Sequence, residues 1–196
     1  MNYNLPNLLT LLRLALIPVF VLVFYLPFGW AHVAVTAIFG IAAITDWLDG
    51  YLARRWGETS AFGAFLDPVA DKLMVAVALV LLIERVPVVG MPGVLMAIPA
   101  AVIIGREITI SALREWMAEI GERARVAVSV IGKIKTTAQM IAILLLLYRE
   151  PIAGFPTAIV GVICLYIAAI LTLWSMILYL RAAWPLLVKS ETDSSS

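Results

Sequence analysis

Six apolar runs, at about residues 8–27, 31–53, 62–84, 88–105, 134–149 and 155–181, take up most of the chain. Each approaches the roughly 20 residues that an α-helix needs to cross the hydrocarbon core, the fourth and fifth being short. Inside a bilayer every backbone N–H and C=O needs an internal partner, which leaves helices and closed barrels as the only spanning structures. None of the runs alternates polar and apolar residues as a barrel strand does. The expectation is an all-α integral membrane protein, a six-transmembrane-helix bundle. Composition agrees: 63% of the residues are hydrophobic and 14% charged, against about 25% charged in soluble domains. A net charge of +1 offers no polybasic surface, and no nucleic-acid partner is expected.

The segments between the runs are short and carry turn residues, as in "PFGWAH", "RRWGETSA", "RVPVVGMPG" and "YREPIAGFP". The exception is the polar stretch from Arg106 to Lys135. Its first part, Ile108 to Ile120, keeps a helical apolar period, so the fourth helix is expected to continue beyond its apolar run. The N-terminus lacks the basic region and cleavage site of a signal peptide and reads as a first span that is kept. Residues 1–189 read as a single membrane domain and 190–196 as a disordered polar tail. Cys164, alone within an apolar run, reads as a small buried hydrophobe.

Basic residues set the orientation. With both termini in the cytoplasm, Arg54, Arg55, Arg106, Arg114, Arg123, Arg125, Lys133, Lys135, Arg181 and Lys189 all fall on the cytoplasmic side. Arg13 and Lys72 lie in or near that half, and only Arg85 and Arg149 fall outside. Trp30, Trp56, Trp116 and Trp184 flank the spans as interfacial residues do. His32 sits in the outer segment and is assigned no role.

Against this background four aspartates stand out. Asp46 and Asp49 are three apart near the end of the second run, and Asp67 and Asp71 are four apart in the third. Each pair occupies one helix face, and a short hairpin through Trp56–Ser60 brings both pairs to the cytoplasmic edge. A carboxylate at mid-membrane costs about 2.5–3.5 kcal/mol on insertion scales, and four together repel. A divalent cation removes the repulsion, and oxygen donors without His or Cys favour Mg²⁺ or Mn²⁺. Two ions bridged by shared aspartates, about 3.5–4 Å apart, fit such a set. Gly50, Ala53 and Gly63 remove bulk beside the acids, and Arg54 offers a two-point phosphate contact. Together these residues describe a pocket for a metal-bound diphosphate at the membrane surface. The pocket faces the cytoplasm.

The spacing Asp49-Gly50-x2-Ala53-Arg54-x8-Gly63-x3-Asp67-x3-Asp71, preceded by Asp46, resembles the signature of the CDP-alcohol phosphotransferase family at every position. The stretches "NLPNLLTLLRLALIPVF", "GAFLDPVADKLMVA", "REITISALREWMAE" and "GKIKTTAQM" extend the resemblance over the chain, toward bacterial members whose acceptor is glycerol 3-phosphate. The resemblance implies an enzyme of phosphatidylglycerol and cardiolipin biosynthesis in the bacterial cytoplasmic (inner) membrane. It would move a phosphatidyl group from CDP-diacylglycerol to the 1-hydroxyl of sn-glycerol 3-phosphate. It implies that Asp46, Asp49 and Asp67 bind metal, and that Asp71 is the general base and shares the second ion. It further implies that Asp49, Gly50, Ala53, Arg54 and Gly63 line the cytidine diphosphate site, and that the enzyme is a homodimer among membrane lipids.

The acceptor's own phosphate calls for a second basic site. Arg106, Arg114, Lys133 and Lys135 are the candidates, Arg106 first, with Glu107 placed to orient a neighbour. Arg114 follows eight residues after Arg106, on nearly the same helix face, whereas Lys133 and Lys135 diverge on a regular helix. Asn7, Thr10 and Arg13 share a broad face of the first helix, suited either to head groups or to packing. Two alternatives keep the aspartates but change the chemistry: a family member using another acceptor such as inositol phosphate, and an intramembrane prenyltransferase. A cation transporter is disfavoured, because the acids cluster at one end and no internal repeat is present.

Overall fold

The computed structural model describes residues 5–56, 61–119 and 130–193. It is all-helical: α1 (Leu5–Tyr25), α2 (Ala31–Trp56), α3 (Ala61–Glu84), α4 (Val94–Glu119), α5 (Val130–Tyr148) and α6 (Thr157–Asp193). Among the described residues the only β-type pairing is an isolated bridge between Ile152 and Phe155, which tightens the turn before α6. By length and composition the stretches Leu8–Tyr25, Val94–Ala118 and Thr157–Arg181 each suffice to cross a membrane, and Ala31–Asp46 and Ile134–Tyr148 are shorter apolar helical stretches.

Turn chemistry sets several boundaries. The fourth apolar run, drawn from residue 88, overlapped the turn segment "RVPVVGMPG"; the turn reading holds, and α4 begins at Val94. Gly90 takes a left-handed backbone (φ 78°), Met91 donates to the Val88 carbonyl, and Pro92 has no N–H to give, so residues 88–93 form a turn. The helical apolar period read from Ile108 beyond the fourth run agrees with α4, which continues unbroken to Glu119. At the other extreme α6 reaches Asp193, running into the polar stretch read as a tail from residue 190. Adding residues to a helix already this long needs no new nucleus. The hairpin turn expected at 57–60 and the loop "EIGERARV" lie outside the described residues.

The helices alternate in direction, so the end of α1 meets the start of α2, the end of α3 and the end of α5. Packing pairs α5 with α6 and α1 with α2 most extensively, and α1 also covers α3. The interior is filled by Phe20, Phe39, Leu79, Leu82, Met96 and Ile143 with their neighbours. Gly161 permits the closest approach. A Cβ there would lie 2.8 Å from the Leu146 side chain, so α5 and α6 pack over a backbone without side-chain bulk. Large apolar residues such as Leu22, Val80, Ile98 and Ile170 face outward. In water such a surface would drive aggregation; against lipid it is the required exterior.

Candidate functional site

The one aspartate of the four whose side chain is described, Asp46, sits at a meeting of four helices. A cavity there is lined by Arg13 of α1, Phe39, Ala42 and Asp46 of α2, Met74 and Val75 of α3, and Met140 of α5. Arg13 is 2% exposed, and its Nη1 donates to Asp46 Oδ1 at 2.8 Å, with the carboxylate still 38% exposed. The sequence reading placed Arg13 on a polar face without naming a partner; the fold gives it this one. A buried guanidinium beside the carboxylate offsets its charge and fixes its rotamer.

Asp49, Gly50, Ala53 and Arg54 lie on the last turns of α2, and Gly63, Asp67 and Asp71 on the first half of α3. Their side chains lie outside the described residues, as does that of Lys133. What the backbone does fix is register. Asp49 follows Asp46 by one turn of α2, and Asp71 precedes the cavity residues Met74 and Val75 by one turn of α3. Among the described residues no group of three or more His, Cys, Asp or Glu side chains converges. The chemistry of the donor set still fits a hard divalent cation. Asp46 presents a carboxylate with one oxygen bonded to Arg13, and the other three positions are carboxylates on the same two helices.

A second polar cluster joins α4, α5 and α6. Lys135 Nζ and Arg106 Nη1 both donate to the same oxygen of Glu107, at 2.7 and 2.8 Å. Arg106 Nη2 also reaches Ser175 Oγ at 3.4 Å, while its Nε is buried without a hydrogen-bond partner among the described residues. The guanidinium carbons of Arg106 and Arg114 lie 5.7 and 5.4 Å from the centre of the Tyr179 ring, and Arg114 donates to the Tyr179 hydroxyl at 3.0 Å. Lys72 of α3 contacts Ser111 of α4, whose hydroxyl is bonded to the Glu107 carbonyl.

Three of the four residues named as candidates for an acceptor phosphate therefore share one cluster, and Glu107, read as placed to orient a neighbour, is paired with two of them. Sequence reasoning missed Ser175 and Tyr179. Their signal was present as two polar groups four residues apart in a mostly apolar stretch of α6, and so on one helix face. Among the described residues the cluster presents the cations Arg106, Arg114 and Lys135, with Lys72 at its edge, and one carboxylate, Glu107.

The CDP-alcohol phosphatidyltransferase family model matches residues 3–174. The CDP-diacylglycerol–glycerol-3-phosphate 3-phosphatidyltransferase of Pectobacterium atrosepticum is 61% identical over 186 residues, 93% of this chain and 96% of that protein. Proteins of the same name from Salmonella typhimurium and Shigella flexneri are 57% and 56% identical over 183 residues, with the same shares of each chain covered.

Proposed function

The chain belongs to the CDP-alcohol phosphatidyltransferase family, and on that premise we propose that it transfers a phosphatidyl group from CDP-diacylglycerol to the 1-hydroxyl of sn-glycerol 3-phosphate, giving phosphatidylglycerophosphate and CMP. The observation that carries this reading is 61% identity over 93% of the chain to a protein named for that reaction. The Asp46–Asp71 signature, intact at every position, supports it.

In the proposed reaction the acceptor hydroxyl attacks the phosphorus that bears diacylglycerol, the bond from that phosphorus to CMP breaks, and the hydroxyl proton passes to Asp71. General-base catalysis of this kind contributes about 10²–10⁴-fold. Asp46, Asp49, Asp67 and Asp71 would hold Mg²⁺ or Mn²⁺, two ions, which when bound neutralise the diphosphate and favour the departure of CMP. Arg13 holds the Asp46 carboxylate in place for that task. Asp49, Gly50, Ala53, Arg54 and Gly63 take the cytidine diphosphate, the small residues leaving room and Arg54 pairing with phosphate. Arg106, Arg114, Lys135 and, on the same helix, Lys133 take the phosphate of the acceptor. Glu107 keeps Arg106 and Lys135 together until that phosphate arrives.

The chain is a membrane protein. We place it in the bacterial cytoplasmic membrane with the aspartates facing the cytoplasm, supported by the distribution of basic residues. A site at the bilayer edge suits a donor with lipid tails and an acceptor that is soluble in water. A homodimer follows from the family resemblance.

The test uses the purified chain in detergent with CDP-diacylglycerol, Mg²⁺ and one acceptor at a time: glycerol 3-phosphate, inositol phosphate or serine. CMP release and lipid product are followed with and without EDTA. Turnover is expected only with glycerol 3-phosphate, abolished by EDTA and lowered about 10²–10⁴-fold in Asp71→Asn. Turnover with another acceptor would keep the mechanism and overturn the acceptor. Absence of CMP with every acceptor, in protein whose helical circular dichroism is intact, would favour prenyl transfer.

A further inference from the structure

A second cavity opens at the end of the bundle remote from Asp46. Its lining includes Phe24, Ala31, His32, Leu82, Arg85 and Arg149. His32 is separated from Asp46 by about 20 Å along α2, at the helical rise of about 1.5 Å per residue. The two basic residues that the charge distribution leaves on the outer side are Arg85 and Arg149, more than sixty positions apart in the chain. The fold brings both to this one cavity.

Among the described residues neither arginine is paired with a carboxylate. Arg85 Nη1 donates to the Phe24 carbonyl at 3.1 Å, and its guanidinium lies 5.5 and 5.1 Å from the ring centres of Phe24 and Tyr25. These contacts aim the group and leave its charge unpaired. The Arg149 side chain makes no hydrogen bond or ion pair with any described residue. Its backbone is left-handed, with φ 51°, a conformation that ordinarily selects glycine or asparagine at a helix end. A long cation held in that conformation is poorly explained by helix capping alone. The third nitrogen group is His32. Its ring stands edge-on to Tyr148 at 5.5 Å, and its Nδ1 is buried without a hydrogen-bond partner among the described residues.

The acidic groups at this end are Glu84, bonded to the Tyr25 hydroxyl, and the exposed Glu150; neither lines the cavity. Phe28 and Trp30 stack with nearly parallel rings and are exposed beside it. Exposed aromatic rings of this kind mark the depth of lipid head groups.

We propose that this cavity binds the phosphate of a membrane phospholipid, with Arg85 and Arg149 pairing its charge and His32 completing the contact. The site is independent of the transferase reading, since none of its residues belongs to the aspartate end.

The test measures thermal unfolding and nondenaturing mass spectra of the full chain in detergent. The probes are dioctanoyl phosphatidylglycerol, dioctanoylglycerol with the same chains but no phosphate, and inorganic phosphate. The phospholipid is expected to bind and stabilise, and dioctanoylglycerol to do neither. The Arg85→Gln/Arg149→Asn pair should weaken phospholipid binding at least tenfold and leave CMP release unchanged. Arg149→Asn alone should raise the unfolding temperature without lipid, because asparagine tolerates the left-handed backbone, while lowering lipid affinity. A purely structural Arg149 would not give those opposite signs. Equal lipid affinity in the wild type and the single variant, or equal binding of dioctanoylglycerol, would overturn the proposal. Binding of inorganic phosphate with no preference for the phospholipid would overturn the lipid assignment and leave a site for free anions.

Discussion

Lys135 and Arg106 share one carboxylate oxygen of Glu107, whereas Arg85, at the other end of the bundle, rests on two aromatic rings and a carbonyl. Burial accounts for the difference. Lys135 and Arg106 are 3% and 8% exposed, and a cation that deep in a low-dielectric bundle needs a fixed counter-charge. Arg85 and Arg149 are exposed at the cavity mouth, where solvent and head groups screen them. The two ends are therefore tuned differently. An anion entering at the Glu107 end exchanges with a carboxylate already in place, while an anion at the outer end meets open charge.

The largest consequence should follow from removing that shared carboxylate. Glu107→Ala strands two buried cations, and breaking a buried pair in this way costs about 3–5 kcal/mol. Unfolding in detergent should register that loss as a marked drop in midpoint. Lys135→Met combined with Glu107→Met should recover only part of it, because the apolar pair removes one stranded cation and leaves Arg106 without its carboxylate. If Glu107→Ala unfolds like the wild type, water reaches the cluster and the contrast between the two ends disappears.

How much of this was legible beforehand depends on distance along the chain. The six helices, the pairing of the aspartates on two helix faces and the turns at Gly and Pro are local properties, carried by spacings of a few residues. The continuation of α4 past its apolar run was legible for the same reason. Arg13 meeting Asp46, and Ser175 and Tyr179 meeting the arginines of α4, were not. Such pairings depend on which faces of distant helices meet. In a bundle bathed in lipid nearly every face is apolar, so periodicity does not mark the inner one. His32 had no assigned role because its neighbours in the cavity come from the ends of α1, α3 and α5 and the turns that follow them. At the start of α4 two readings overlapped, an apolar run from residue 88 and a turn segment "RVPVVGMPG"; turn chemistry at Gly90 and Pro92 outweighs hydropathy, and the helix begins at Val94.

A middle-sized effect should separate the two carboxylate pairs at the deeper end. Arg13→Met removes the partner of Asp46 but leaves a carboxylate that is 38% exposed. The expected loss is about 1–2 kcal/mol, toward the low side of hydrogen bonds to charged groups. The proposed role of Asp46 adds a second readout. Without Arg13 to fix the rotamer, the Mg²⁺ concentration giving half-maximal CMP release should shift, while Glu107→Gln should leave it unchanged and raise the KM for glycerol 3-phosphate. Identical Mg²⁺ titrations for Arg13→Met and the wild type would mean that the pair serves folding alone.

The smallest effect belongs to the outer end. Arg85→Gln removes a cation from the Phe24 and Tyr25 rings and keeps a donor for the Phe24 carbonyl. An exposed cation–π contact contributes about 0.5–1 kcal/mol, so the unfolding midpoint in lipid-free detergent should move only slightly. Added salt should leave the difference in midpoint between Arg85→Gln and the wild type little changed, since among the described residues Arg85 has no ion pair to screen. A loss as large as that of Glu107→Ala would mean that Arg85 is structurally coupled to the core, and the outer cations could no longer be treated as charge left open for a ligand.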